Sequence, residues 1–167
     1  MANNEFILRL SEALVGDLRA SGKTVATAES CTGGWIAKGI TDVAGSSDVF
    51  AYGIVSYSNG AKQSLLGVRA ETLDTKGAVS NAVVEEMAVG ALELSGADIA
   101  VAVSGIAGPG GGNDEKPVGT VWFAWAVRGE SLLKCDSNCQ QFDGDRDRVR
   151  KQTVAHALEG VRERIDQ

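Results

Sequence analysis

The amino-acid sequence predicts an α/β protein: a single three-layer α/β/α domain over residues 1–167, with a mixed, mostly parallel sheet. Segments of β-branched and small apolar residues alternate with amphipathic segments, which is the order of strands and helices in α/β proteins. Residues 99–103 are apolar throughout, as in a strand covered on both faces. Two strands follow one another around Gly129 without a helix between them, so at least one antiparallel pair is expected.

Helices are predicted where apolar residues recur at three- and four-residue steps. The first covers residues 4–20, and Gly22 is placed to end it. Asn59 is placed to cap a helix that carries Lys62. The other helices are predicted to begin at the glycine pair 33–34, at Ser80 with an end at Gly96, and after the turn at 143–144. Strands are predicted over residues 24–28, 49–57, 99–103, 120–127 and 132–142.

The composition is that of a globular protein, and it argues against several classes of function. Apolar residues make up 44% and charged residues 23% of the 167 positions. A net charge of -6 does not suit a protein that mainly binds nucleic acid, because such affinity comes from neutralising phosphates. No stretch approaches the roughly 20 apolar residues of a membrane span. The N-terminus lacks a secretory pattern, and three cysteines favour a reducing compartment, so we expect a cytoplasmic protein.

The chain has one histidine, His156, and this limits the mechanisms that are available. A Ser-His-Asp or Cys-His mechanism would have to use it. It falls in the last amphipathic helix, however, with no nucleophile motif beside it. One histidine and scattered cysteines also give no zinc-ligand spacing, so no metal site is predicted.

A serine lies where the first strand meets the second helix. Ser30 follows the strand, and Gly33 and Gly34 begin the helix. Ligands of open α/β sheets bind beyond the carboxyl ends of the strands. The amides of Cys31, Thr32, Gly33 and Gly34 could hold an oxyanion there if Ser30 is a nucleophile. The alternative is that Ser30 only caps the helix. The Cys31 thiol has no histidine beside it, so we interpret Cys31 as a small turn residue.

A serine nucleophile without histidine needs lysine or tyrosine as its base. Tyr57 and Lys62 flank a strand-to-helix turn and are the candidates. An unperturbed lysine has a pKa of about 10.4 and must become neutral to take a proton. A helix N-terminus changes that pKa by less than about one unit, whereas burial lowers it by up to about 3–5 units. Desolvation would therefore have to tune Lys62. The alternative is an ordinary solvated lysine.

A glycine-rich loop follows the apolar strand and offers contacts for a substrate. The Ser104 hydroxyl could donate or accept a hydrogen bond, and Gly105 and Gly108 allow close approach of the backbone. Thr120, where the chain returns to the sheet, is a weaker candidate. The alternative is a flexible surface loop.

Two arginines begin the last helix near its core-facing stripe. The planar guanidinium groups of Arg146 and Arg150 would suit a phosphate or a carboxylate. The alternative is an ion-pair network with the neighbouring Asp143, Asp145 and Asp147.

Five segments together resemble the CinA C-terminal family. They are TAESCTGG (27–34), YSN (57–59) with Lys62, SGIAGP (104–109), KPVGT (116–120) and GDR (144–146). The resemblance covers essentially the whole chain. It implies hydrolysis of the carboxamide of nicotinamide mononucleotide to nicotinate mononucleotide and ammonia, in pyridine nucleotide (NAD) salvage, without metal or cofactor. It also implies Ser30 as nucleophile, Lys62 as base and Tyr57 in a supporting role.

The rival interpretation is a nucleotide-binding or regulatory domain that does no chemistry. The presence of both Ser30 and Lys62 argues against it. The sequence leaves two points open: whether the chain forms a homo-oligomer, and which residues hold the substrate phosphate.

Overall fold

The computed structural model describes residues 2–167, in which one five-stranded sheet lies between two layers of helices. The strands are β1 (Val25–Glu29), β2 (Phe50–Val55), β3 (Ile99–Gly105), β4 (Thr120–Arg128) and β5 (Leu133–Gln141). The α-helices are α1 (Asn4–Ser21), α2 (Trp35–Thr41), α3 (Asn59–Leu66), α4 (Ala70–Lys76), α5 (Asn81–Ser95) and α6 (Arg146–Arg162), with a short 3-10 helix at Ser46–Asp48. Helices α1, α2 and α6 cover one face, and α3, α4 and α5 cover the other. The predicted α/β/α class is confirmed.

The sheet is mixed, with the strand order β2-β1-β3-β4-β5. Strand β1 pairs in parallel with β2 and β3, whereas β4 is antiparallel to β3 and to β5. Four strands therefore run in one direction and β4 runs against them, as the two consecutive strands around Gly129 predicted. The carboxyl ends of β1, β2 and β3 meet at one edge of the sheet.

Alternate residues of each strand enter different cores, because successive side chains of a strand point to opposite faces. Large residues such as Phe123 and Trp125 pack towards α1, α2 and α6. Alanines such as Ala102 and Ala124 face α5. The small side chains on the second face leave room for α5 to lie close to the sheet.

Most predicted helix ends agree with the structure. Gly22 and Gly96 end α1 and α5 in the left-handed conformation, and the Ser80 hydroxyl caps α5. The predicted cap of α3 was wrong. Ser58 takes that position with an extended backbone, and its hydroxyl accepts from the Ala61 N–H at 3.1 Å, so Asn59 becomes the first helical residue. The seven-residue α4 was not predicted, since it is too short to show a periodic apolar stripe.

His156 lies in α6, as predicted, where it is half-buried against aromatic residues of the core. Its ring packs edge-on against Phe123, with the centroids 4.6 Å apart, and Nε2 lies 3.3 Å from Asn138 Oδ1. Burial lowers its pKa, which favours the neutral ring. Among residues 2–167, no helix has the length and apolar character needed to cross a bilayer.

Candidate active site

Three serines lie side by side at the carboxyl ends of β1, β2 and β3. The strand register places Ser30 between Ser56 and Ser104, and all three point towards α3 and α5. Ser104 is 1% exposed, and its hydroxyl makes no hydrogen bond to another residue within 2–167. The fully buried Ser56 hydroxyl also lacks a partner there. Ser104 therefore lies beside Ser30, and its hydroxyl is available for a hydrogen bond to a ligand.

Lys62 reaches the Ser30 hydroxyl from α3. Its Nζ lies 3.0 Å from Ser30 Oγ, 2.9 Å from the Ser56 carbonyl oxygen and 3.3 Å from the Tyr57 carbonyl oxygen. Lys62 is the fourth residue of α3, so its side chain extends back over the ends of β1 and β2. The alternative of a solvated lysine is wrong, because the residue is 1% exposed.

The surroundings of Lys62 favour a neutral amine. No carboxylate within residues 2–167 forms an ion pair with it, and burial lowers its pKa. A neutral amine has two N–H donors and one lone pair. The carbonyl oxygens of Ser56 and Tyr57 can accept both donors, which leaves the lone pair for the Ser30 hydroxyl hydrogen. This arrangement can remove a proton from Ser30.

Glu29 has the capping role that was considered for Ser30. Its fully buried carboxylate accepts from the Ile36 and Ala37 N–H groups at 2.8 and 2.9 Å and from the Thr32 hydroxyl at 2.7 Å. A carboxylate is favourable at this end of the helix. The cap interpretation of Ser30 is therefore contradicted. The sequence interpretation gave Glu29 no role, although a lone carboxylate in an apolar strand directly before a helix was the available signal.

The backbone amides of the Ser30 turn differ in what they bond. The Gly33 N–H donates to the Ser30 carbonyl at 3.1 Å, so the expectation that it is free to hold a substrate was wrong. The N–H groups of Cys31, Thr32 and Gly34 donate to no backbone carbonyl within the described residues. Burial also raises the pKa of the Cys31 thiol to about 11, so this thiol is protonated near pH 7.

Arg146 connects two loops at the edge of the site. Its Nη1 donates to the Gly108 carbonyl at 2.7 Å and its Nη2 donates to the Tyr57 hydroxyl at 3.2 Å. The Tyr57 side chain is 60% exposed, and its hydroxyl contacts Arg146. Only the backbone carbonyl of Tyr57 contacts Lys62. Arg146 thus holds the glycine-rich loop next to the β2–α3 turn.

Arg150 contacts the Ser30 turn from the opposite face. Its Nε donates to the Cys31 carbonyl at 3.1 Å and its Nη2 donates to the Thr32 carbonyl at 2.9 Å. The guanidinium carbon lies 5.1 Å from the centre of the Trp35 ring, in cation–π contact. Two of its donors are therefore used by the backbone.

The ion-pair alternative for these arginines was wrong. Asp145 caps α6 by accepting from the Arg148 N–H, and Asp147 pairs with Lys151 at 2.6 Å. The carboxylates near the start of α6 thus support the helix itself.

A family model described as the CinA C-terminal domain matches residues 8–165. The chain belongs to the CinA C-terminal domain family. The nicotinamide-nucleotide amidohydrolase PncC of Escherichia coli K12 is 58% identical over 154 residues, covering 92% of this chain and 91% of that protein. A solved CinA superfamily protein from Klebsiella pneumoniae has a TM-score of 0.89 at 42% identity, covering 96% of this chain and 98% of that one. The competence/damage inducible protein CihA of Agrobacterium tumefaciens also has a TM-score of 0.89, at 46% identity, covering 97% of this chain and 96% of that one.

In this CinA-family chain, two of the predicted substrate contacts, Thr120 and Gly105, have structural roles. The Thr120 hydroxyl lies 2.6 Å from the Pro117 carbonyl oxygen and 2.8 Å from Gln141 Oε1. A Cβ on Gly105 would lie 2.7 Å from the Thr120 carbonyl oxygen, so strand packing requires glycine there. Among residues 2–167, no three His, Cys, Asp or Glu side chains are grouped to hold a metal ion.

Proposed function

We propose that this chain is an amidohydrolase that converts nicotinamide mononucleotide to nicotinate mononucleotide and ammonia, a reaction of NAD salvage. The observation that carries the proposal is the 3.0 Å contact between Lys62 Nζ and Ser30 Oγ. It occurs in a chain that is 58% identical to a protein named nicotinamide-nucleotide amidohydrolase. The substrate class is taken from that name, and the proposed chemistry from the contact.

The first half of the proposed reaction forms an acyl-enzyme. Neutral Lys62 takes the hydroxyl proton of Ser30 while Oγ attacks the carboxamide carbon, and the carbonyl oxygen becomes an oxyanion. The amides of Cys31, Thr32 and Gly34 are the candidate donors to that oxyanion. The Lys62 ammonium then returns the proton to the amide nitrogen. The carbon–nitrogen bond breaks, ammonia leaves, and the nicotinoyl group is an ester of Ser30.

The second half hydrolyses the ester. Lys62 is neutral again and takes a proton from a water molecule, whose oxygen attacks the ester carbon. As the bond from carbon to Ser30 Oγ breaks, Lys62 returns the proton to Oγ. The products are nicotinate mononucleotide and the free enzyme. Lys62 thus acts twice as base and twice as acid.

The residues around Ser30 suggest how a mononucleotide would bind. The Ser104 hydroxyl lies in the same row as Ser30 and suits a hydrogen bond to the carboxamide. Arg146 lies at the edge of the site next to Gly108 and Tyr57, so it is our candidate for the substrate phosphate. Burying a lysine without an anionic partner costs free energy of folding. A domain that only bound nucleotide would have no use for such a lysine, which argues against the non-catalytic alternative.

The test is ammonia release from nicotinamide mononucleotide by the wild type, by Ser30→Ala and by Ser64→Ala. Ser64 is an exposed serine of α3 and serves as the matched control. We expect release by the wild type and Ser64→Ala and none above background by Ser30→Ala. Rapid-quench mass spectra of the wild type should show an ester of nicotinate mononucleotide, with its ribose phosphate, on Ser30. A wild type that releases no ammonia refutes the substrate. Full activity in Ser30→Ala refutes the nucleophile.

A further inference from the structure

Arg150 fixes two consecutive peptide groups of the Ser30 turn. Its Nε and Nη2 donate to the carbonyls of Cys31 and Thr32, at 3.1 and 2.9 Å. A guanidinium is a planar, rigid fork of donors, so two such bonds set the orientation of both carbonyls. The Trp35 ring at 5.1 Å limits the position of the guanidinium itself. The orientation of the turn is therefore coupled to a side chain on α6.

Peptide planarity makes this orientation relevant to Ser30. The Cys31 carbonyl and the Thr32 N–H belong to one peptide group, and in a trans peptide they point in opposite directions. Arg150 holds the carbonyl from the face of the sheet covered by α1, α2 and α6. The Thr32 N–H then points away from Arg150, and Ser30 and Lys62 lie on the other face of the sheet. Within residues 2–167 it donates to no backbone carbonyl.

The next peptide group shows the same geometry. Arg150 holds the Thr32 carbonyl, and the N–H of that peptide, which belongs to Gly33, donates to the Ser30 carbonyl at 3.1 Å. That bond closes the turn around the serine. Glu29 holds the turn as well, through its 2.7 Å bond from the Thr32 hydroxyl. The position of Thr32 is thus fixed by the Arg150 guanidinium at its carbonyl and by the Glu29 carboxylate at its hydroxyl.

We propose that Arg150 is a positioning residue, which directs the Thr32 N–H at the oxyanion formed when Ser30 attacks the carboxamide. This inference rests on the proposed function. It gives Arg150 a role other than the phosphate contact expected from the sequence, since its Nε and Nη2 bond the backbone of the turn. The structure thereby separates Arg146 from Arg150: Arg146 lies at the edge of the site, and Arg150 supports the Ser30 turn.

The experiment compares Arg150→Lys with Arg162→Lys, a matched change on the same helix at a partly exposed ion pair with Asp17. A lysine keeps the charge but cannot hold both carbonyls in fixed geometry. Misplacing an oxyanion donor weakens binding of the transition state only, so kcat should fall by about tenfold or more while KM stays within about twofold. Arg162→Lys should match the wild type. Arg150→Gln, which can bond one carbonyl, should retain more activity than Arg150→Met and provides a second series if the lysine variant folds poorly.

Amide hydrogen exchange gives a readout that does not depend on turnover. We expect the Gly33 amide to exchange at least about tenfold faster in Arg150→Lys than in the wild type, because its bond to the Ser30 carbonyl loosens. The inference is overturned if KM rises while kcat is unchanged, which would make Arg150 a phosphate contact, or if Gly33 exchange does not change. If the wild type releases no ammonia, the proposed function fails separately, and Gly33 exchange alone decides whether Arg150 positions the turn.

Discussion

The amine of Lys62 and the hydroxyl of Ser30 lie 3.0 Å apart, although 32 residues separate them in the chain. Strand β1 presents Ser30 at its carboxyl end, and α3 begins after the neighbouring strand β2. Lys62 is 1% exposed, so its amine is almost completely removed from the protein surface. From this contact between a buried lysine and a serine hydroxyl, three predictions follow for Lys62.

Replacing Lys62 should greatly reduce turnover without unfolding the protein. Arginine cannot become neutral near pH 7, and methionine cannot accept a proton, so Lys62→Arg and Lys62→Met should each lose about 10²–10⁴-fold in kcat. Ammonia release measures the loss, and urea unfolding checks that the variants fold. Lys134→Met, at an exposed position of β5, is the control and should keep wild-type rates. Near-normal turnover in Lys62→Met would assign the base to another group.

The pH dependence of kcat/KM should follow the deprotonation of Lys62. Because burial lowers its pKa, kcat/KM should rise with pH and level off below the pH of about 10.4 that an ordinary lysine would require. A profile that keeps rising beyond pH 10 would contradict this. The profile is to be measured with enzyme shown to remain folded at each pH.

The same shift predicts how stability changes with pH. A lysine whose pKa is lower in the folded state binds fewer protons there than in the unfolded chain, so its burial cost is fully present below the folded pKa. The cost disappears as pH rises towards the unfolded value of about 10.4. The free energy of unfolding of the wild type should therefore increase relative to that of Lys62→Met as pH rises through this window. A difference that is independent of pH would show that the lysine is not desolvated.

Cys31 should be unreactive although it directly follows Ser30, the proposed nucleophile. Burial raises the pKa of its thiol to about 11, and the thiolate is the form that reacts with iodoacetamide. At pH 7.5 the reagent should modify the exposed Cys139 and leave Cys31 unmodified, with ammonia release intact. Peptide mass spectrometry identifies the labelled thiol. Rapid labelling of Cys31 with parallel loss of activity would revive it as a competing nucleophile.

Two helical glycines should respond to alanine in opposite directions. A Cβ on Gly160 of α6 would overlap the Trp125 ring, so Gly160→Ala should lower the free energy of unfolding by about 1–3 kcal/mol. Gly16 of α1 has open space around its Cβ position, and Gly16→Ala should raise that free energy by about 0.5–1 kcal/mol. Urea unfolding of both variants checks the pair. Stabilisation by Gly160→Ala would mean that α6 can move away from the sheet at little cost.

The sequence by itself determined the layers of this protein and its candidate nucleophile. Apolar periodicity and terminal glycines located α1 and α5 closely, since both signals act within one or two helical turns. The single histidine left Lys62 and Tyr57 as the bases to consider for Ser30. The motif order led to the CinA C-terminal family, which the match over residues 8–165 then established.

Only the tertiary structure decided which partner each polar residue of the site has. The cap of α2 proved to be Glu29, and Arg150 proved to bond the backbone of the Ser30 turn from α6. The contact of Lys62 with Ser30 joins the turn after β1 to the helix that follows β2. Sequence patterns report local periodicity and burial, whereas the bonds of Arg150 and Lys62 join residues 119 and 32 positions apart in the chain. Their geometry exists only after the sheet and both helical layers have packed together.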